Sequence, residues 1–285
     1  MALKLMYITN RPDVARIAES AGVDRIFVDM EYIGKAERQQ GMDTVQSHHT
    51  VEDIYAVKDV LCRAELLVRV NPIHGDVEGC GSSGEEIDAA IQAGADILML
   101  PYFKTAGEVE EFIRLVDGRC RTMPLLETPE AVAAVDEILA LDGIDEIFVG
   151  LNDLSLGYGK NFMFELLADG TVETLCLKFR QKGISYGFGG IARLGQGMLP
   201  AEMIIKEHYR MGSGCVILSR SFCNVEQMDN IDEIRHIFTE GMQAVRAQEK
   251  ECEGHSRYFF ENVSGVKSIV GKIVQIAETR RKTGV

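Results

Sequence analysis

Eight short apolar runs, each followed by a longer amphipathic stretch, constrain this chain most. They are LKLMYI (3–8), RIFVDM (25–30), ELLVRV (65–70), DILMLP (96–101), RTMPLL (121–126), DEIFVG (145–150), ISYGF (184–188) and GCVILS (214–219). Helical patterns fill the gaps at 11–21, 50–62, 84–93, 105–116, 129–140, 163–182 and 199–212. Start signals mark several of them: Thr50 before VED, Thr105 before GEVEE, and Thr128 before PEA, with Pro129 at the first helical position. Such alternation predicts an α/β protein with a parallel sheet and helices outside it. Eight repeats in about 220 residues predict a (β/α)8 TIM barrel. An open doubly wound sheet is the alternative, but no GxGxxG follows the first strand.

The barrel is expected over 1–224 as the catalytic domain. Residues 225–285 form a charged helical extension, amphipathic over 229–250 and 265–281. A barrel needs one closing helix, so the extension is surplus; it packs either on a neighbouring subunit or as a private cap. The polar segment 31–49 is long for a loop and marks a functional one.

A net charge of −14 excludes nucleic acid and an anionic membrane as main partners. Seven cysteines without a CxxC pair point to reduced thiols and a cytoplasmic protein. The N-terminus lacks a signal-peptide pattern, and no apolar run is long enough to span a bilayer.

In a barrel of this kind the active site forms at the C-terminal strand ends. Those ends carry Asp29, Glu31 and Tyr32; Arg69; Glu127; Asn152 and Asp153; Gly189 and Gly190; Ser219 and Arg220. Glu127 and Asp153 stand one β/α unit apart, and adjacent strands run about 4.8 Å apart. Two carboxylates at matching heights can grip one hard divalent cation, leaving positions for water and substrate oxygens. Without a cation or proton between them they would repel. The competing reading is that each acid caps a following helix. Gly150 and Asn152 leave room for backbone N–H groups to face an anion. Arg69, on a strand buried on both faces, needs an anionic partner: Asp29, Glu31 or substrate. His48 and His49 either reach inward or stay exposed in their loop. The glycine-rich stretch 186–200 suits a phosphate cradle, a lid or a tight turn. Ser219 and Arg220 are candidate anion contacts. Cys223 has no activating neighbour in sequence and reads as structural.

The stretch PLLETPEAVAAVDEILALDGIDEIFVGLNDLSLGYG (124–159) resembles the HpcH/HpaI-type class II aldolases and the related citrate-lyase β-subunits. AGVDRIFVDMEY (21–32), LVRVN (67–71) and AIQAGADILMLPYFKTAGEVEEF (90–112) agree in order, and the similarity covers about residues 5–225. The resemblance implies a (β/α)8 barrel that holds Mg²⁺ or Mn²⁺ through Glu127 and Asp153. It implies a pyruvate-like 2-keto acid on the metal, Arg69 at the enolate oxygen, and reversible C–C bond cleavage. Leu151, Asn152, Gly189 and Gly190 are the expected further substrate contacts. It also implies a homo-oligomer, trimer or hexamer, built through the C-terminal helices.

Three positions depart from the family pattern. Tyr32 stands where a histidine commonly serves in proton transfer, Leu125 where glutamine is common, and Gly150-Leu151-Asn152-Asp153 replaces Gly-Pro-x-Asp. The expected roles adjust accordingly. Asp29 and Glu31 orient Arg69 or a metal-bound water, that water is the base, and Tyr32 donates a proton or hydrogen bond to an unknown second substrate. Two rivals keep the barrel: a biosynthetic enzyme using phosphoenolpyruvate or an acyl thioester, and a non-catalytic keto-acid sensor or scaffold.

Overall fold

The computed structural model describes residues 2–35, 48–78, 81–254 and 256–283. Residues 36–47, most of the expected functional loop, lie outside them. Strands β1 (Lys4–Ile8), β2 (Arg25–Asp29), β3 (Glu65–Arg69), β4 (Ile97–Leu100), β5 (Arg121–Leu126), β6 (Glu146–Val149), β7 (Ser185–Ile191) and β8 (Cys215–Leu218) close into a barrel in sequence order. Every neighbouring pair is parallel, and β8 pairs back onto β1, which rules out the open sheet.

The strands read as near-continuous apolar runs because both faces are buried. Met6, Phe27, Leu67, Ile97, Met99, Met123, Leu125, Phe148 and Cys215 pack inside the barrel. A larger apolar cluster lies between the strands and the helices. The N-terminal end of the barrel is plugged by charge. The first residues of four strands meet there. Arg25 donates from Nη1 and Nη2 to Glu146 (2.9 and 2.5 Å) and from Nε to Glu65 (2.8 Å). Arg121 closes the ring through Glu65 (2.5 Å) and Glu146 (3.4 Å).

Capping sets the helix starts. Thr50, Ser82 and Thr105 form capping boxes with Asp53, Glu85 and Glu108, and Thr128 accepts from the Ala131 N–H. Some boundaries differ from expectation. The 129–140 pattern breaks at Ala134 into Pro129–Ala133 and Val135–Ala140. The 163–182 pattern breaks at Gly170, which is left-handed (φ 88°), into Glu165–Ala168 and Thr171–Lys182. A helix not anticipated, Leu151–Gly157, starts directly after β6. β7 runs on to Ile191, so it carries Gly189 and Gly190 at its C-terminal end, as expected, and the glycine-rich stretch 186–200 begins inside the strand. The β7–β8 register shifts between Gly187 and Gly190, the kind of bulge where strand glycines concentrate. At Gly187 any side chain would collide with the Sγ and carbonyl of Cys215.

Two long helices end the chain. Ile231–Cys252 packs on Pro12–Ser20 and Ala201–Met211, burying Ile234, Phe238, Met242 and Val245. Phe238 meets Tyr7 edge-on at 4.8 Å. Phe259–Thr283 packs on Glu165–Ala168 and Ala201–Met211, burying Val266 and Val270. Both helices therefore share the apolar cluster that surrounds the barrel. Among the described residues no helix is long and apolar enough to cross a membrane.

Candidate active site

A cavity of about 390 Å³ opens at the C-terminal ends of the strands. Its charged wall begins with Asp29, the last residue of β2. Asp29 sits opposite Arg69, the last residue of β3, in the strand register. Arg69 grips it with two bonds, Nε to Oδ1 (2.8 Å) and Nη2 to Oδ2 (2.7 Å). Arg69 Nη1 also lies 3.3 Å from Glu31 Oε2. Lys35, only 4% exposed, closes the cluster at 2.9 Å from Asp29 and 3.4 Å from Glu31. Burial works against a charged Asp29, but the Arg69 guanidinium and the Lys35 ammonium outweigh it and hold the carboxyl well below the usual carboxylate range.

The opposite wall holds Glu127 and Asp153, 4% and 9% exposed. Glu127 follows β5 and does not cap the next helix; Thr128 does that. Its Oε1 accepts from the Tyr102 N–H (3.0 Å). Tyr102 is left-handed (φ 49°), a conformation that costs a bulky residue roughly 1–3 kcal/mol, and it aims this N–H at the site. Asp153 does not end its strand. It lies in the first turn of Leu151–Gly157 without capping it, so the cap reading is set aside for both acids. Burial pushes the Glu127 carboxyl well above the ordinary range, and the neighbouring charges of Glu31 and Asp153 push it further.

Four carboxyl groups gather here: Asp29 and Glu31 pair with Arg69 and Lys35, while Glu31 and Asp153 oppose the ionisation of Glu127. Among the described residues no group of three or more His, Cys, Asp or Glu forms a ready metal cluster. The pair therefore offers two carboxylates and open space. Glu127 and Asp153 also border a second cleft of about 440 Å³, with Tyr102, Thr128 and Leu156.

Gly150 makes this approach possible. A Cβ there would lie 2.6 Å from Glu127 Oε2 and 2.8 Å from Glu127 Cβ. Gly150→Ala is expected to push apart the backbone at residues 127 and 150, displace Glu127, and lower activity by about 10²-fold, the effect of a 1 Å misplacement. Circular dichroism and a rate measurement on the same preparation check this; an unimpaired rate would show that Glu127's position is not critical.

Residues 4–184 match the family model of the HpcH/HpaI aldolase/citrate lyases. The chain belongs to this family. It is 25% identical over 178 residues to a hydroxypyruvate/pyruvate aldolase of Sagittula stellata, covering 52% of this chain and 61% of that relative. A 2-keto-3-deoxy-L-rhamnonate aldolase of Shigella dysenteriae is 23% identical over 211 residues, covering 63% and 71%. The match to the Sagittula enzyme thus spans less than two thirds of its length. A solved HpcH/HpaI aldolase/citrate lyase family protein from Burkholderia cenocepacia superposes with a TM-score of 0.60 at 16% identity, over 82% of this chain and 95% of that one. It supports the fold.

Against the family pattern, the structure sorts the expected residues. Asp29, Arg69, Glu127, Leu151, Asn152, Asp153, Gly189, Gly190, Ser219 and Arg220 line the cavity. Glu31 stands behind Arg69. Tyr32, at the family's histidine position, is 43% exposed and does not line the cavity. Its N–H and that of Ile33 donate to Asn71 Oδ1 (3.0 and 2.9 Å), which turns the segment so that Lys35 faces in. His48 is exposed, whereas His49 reaches the cavity wall, against the expectation that treated the two alike. Leu125 and Phe148 form an apolar floor. Lys35 and the rim formed by Thr9, Asn10, Arg11 and Asn224 were not anticipated. For Lys35 a signal existed: it lies four residues after Glu31.

Proposed function

We propose that this protein is a divalent-metal-dependent lyase or aldolase that makes or breaks a C–C bond beside the carbonyl of a pyruvate-like 2-keto acid. The observation that carries this reading is the buried Glu127 carboxyl, whose ionised form is opposed by burial and by the neighbouring charges of Glu31 and Asp153. That donor set fits Mg²⁺ or Mn²⁺, which accepts two carboxylates and keeps positions for substrate oxygens. Glu127 and Asp153 would hold the ion; when bound, it polarises the keto carbonyl and favours the enolate.

The chain's own groups do the rest. Arg69 cannot swing away, because Asp29 holds it with two bonds and Glu31 flanks it. It presents a fixed positive charge to the oxygen on which enolate charge develops, and such preorganised charge needs no rearrangement during reaction. Lys35 and Arg69 share Asp29, so Asp29 stays ionised and has no proton to give. Leu125 and Phe148 keep water from the floor beneath the reacting carbon. The aldolases among the relatives agree with this chemistry.

Proton–deuterium exchange at the methyl group of pyruvate tests the reading without knowledge of the second substrate. Exchange is expected with Mg²⁺ or Mn²⁺, and its loss with EDTA. Pyruvate that binds but never exchanges, with any divalent ion, would overturn the proposal.

A further inference from the structure

We propose that His49 is an electrophile for the second substrate: its neutral Nε2–H hydrogen-bonds the carbonyl oxygen of an acceptor aldehyde and the alkoxide that oxygen becomes. The inference rests on the lyase or aldolase reading above and adds a residue and a role to it.

The geometry fixes the tautomer. The backbone N–H of Asp29 donates to His49 Nδ1 at 2.9 Å. A peptide N–H does not give up its proton, so Nδ1 presents a lone pair and the ring proton sits on Nε2. The half-buried ring lies on the wall of the main cavity. Protonating it would set an Nδ1–H against the Asp29 N–H. Four charged groups bear on the ring: Asp29 at the end of β2, Asp53 in the helix Val51–Lys58, Lys35 after β2, and Glu226 after β8. Burial lowers the imidazole's pKa and Lys35 adds to this, against the pull of the three acids. A neutral imidazole that polarises a carbonyl is established chemistry.

Position completes the argument. In a closed ring of eight strands, β2 stands across from β6. A keto acid held by Glu127, just after β5, and Asp153, in the first turn of the helix after β6, therefore faces His49 from the opposite wall. The second reactant fits between them. In the addition direction the enolate carbon bonds to the aldehyde carbon, and the C=O electron pair moves onto oxygen. That alkoxide is stabilised by Nε2–H and takes its proton from water. Cleavage reverses each step, and His49 keeps its protonation state throughout.

Two measurements on the metal-loaded full chain decide the matter. Histidine ¹⁵N NMR at pH 7.5 is expected to show His49 with Nε2 protonated and Nδ1 bare. A protonated Nδ1 near neutral pH would overturn the proposal whatever the activity. With pyruvate and glycolaldehyde as probes, His49→Ala is expected to lower aldol addition about 10²-fold more than it lowers pyruvate exchange. His49→Gln, which restores an N–H donor but no titrating group, is expected to recover about tenfold. Equal losses in exchange and addition would make His49 the enolising base, and no loss would make it a spectator; either result overturns the proposal. If the wild-type chain neither exchanges nor condenses, the aldolase reading fails, and the NMR result still decides the tautomer.

Discussion

Glu127→Gln and Asp153→Asn are each expected to lower pyruvate methyl exchange by about 10³-fold, and Glu127→Gln to leave the protein at least as stable as before. The two halves of this expectation have one cause. Glu127 is a buried carboxyl whose ionised form is opposed by burial and by Glu31 and Asp153. An amide of the same shape removes one charge from that crowd and still accepts the Tyr102 N–H. Folding loses nothing, whereas the proposed cation site loses one of its two carboxylates. Active sites commonly trade stability for function in this way. The same logic predicts how the melting temperature responds to metal. A ligand that binds only the folded state stabilises it by RT ln(1 + [L]/Kd), about 2.7 kcal/mol at 100 times Kd. Added Mg²⁺ or Mn²⁺ is therefore expected to raise the wild-type melting temperature, and to raise that of either variant much less. Thermal melts with and without EDTA, run beside the exchange assay, check both halves. A variant that keeps exchange within tenfold of wild type, or a Glu127→Gln protein that melts well below wild-type apoprotein, would show that the pair is structural.

The barrel was legible because its physics is simple. A strand buried on both faces must be apolar along its length, so Ile26–Val28 and Leu66–Val68 stand out from the amphipathic helices around them. Once eight such strands are ordered, their C-terminal ends converge, and Asp29, Arg69, Glu127 and Asp153 come with them. The remainder of the site depends on contacts through space. His48 and His49 are adjacent in sequence, yet among the described residues His49 alone finds an acceptor role, on a peptide N–H twenty residues away. Lys35 is drawn in because Asn71 turns the Tyr32–Ile33 backbone, and Asn71 is itself held by Glu86 (2.8 Å). No periodicity encodes such a relay. Tyr32 illustrates the limit of reading by resemblance: it occupies the family's histidine position in the chain but not in the cavity. Gly189 and Gly190 were expected at the end of β7 and are there; the register shift beside them is a contact through space that the glycines alone did not announce.

Arg25→Ala is expected to lower stability by about 3–5 kcal/mol, the usual effect of removing one partner from a buried ion pair. Arg25 is fully buried, with three hydrogen bonds to Glu65 and Glu146 at the end of the barrel away from the site. Truncation leaves Glu146, itself buried, facing Arg121 at only 3.4 Å. The cause is the stranded carboxylate more than the lost attraction, because desolvating the ions already offsets much of what their pairing contributes. Arg25→Met combined with Glu146→Leu is therefore expected to recover most of the loss, since Arg121 keeps its 2.5 Å bond to Glu65. The pH dependence follows from Glu65. Burial raises its carboxyl pKa, but the bonds from Arg25 and Arg121 outweigh this and hold it below the ordinary value. A depressed acid contributes stability above its unfolded pKa of about 4.3 and loses that contribution as pH falls through the folded value. Removing Arg25 removes part of the depression, so the gap between wild type and Arg25→Ala is widest near pH 7 and narrows below about pH 4. Glu65 is one-third exposed, so solvent screens this term and most of the loss at neutral pH belongs to Glu146. Urea unfolding at pH 7 and pH 4 checks the size of the loss and its narrowing. A loss under 1 kcal/mol at pH 7 would mean that water reaches Glu146 once the guanidinium is gone, and that the charged plug does not close the barrel.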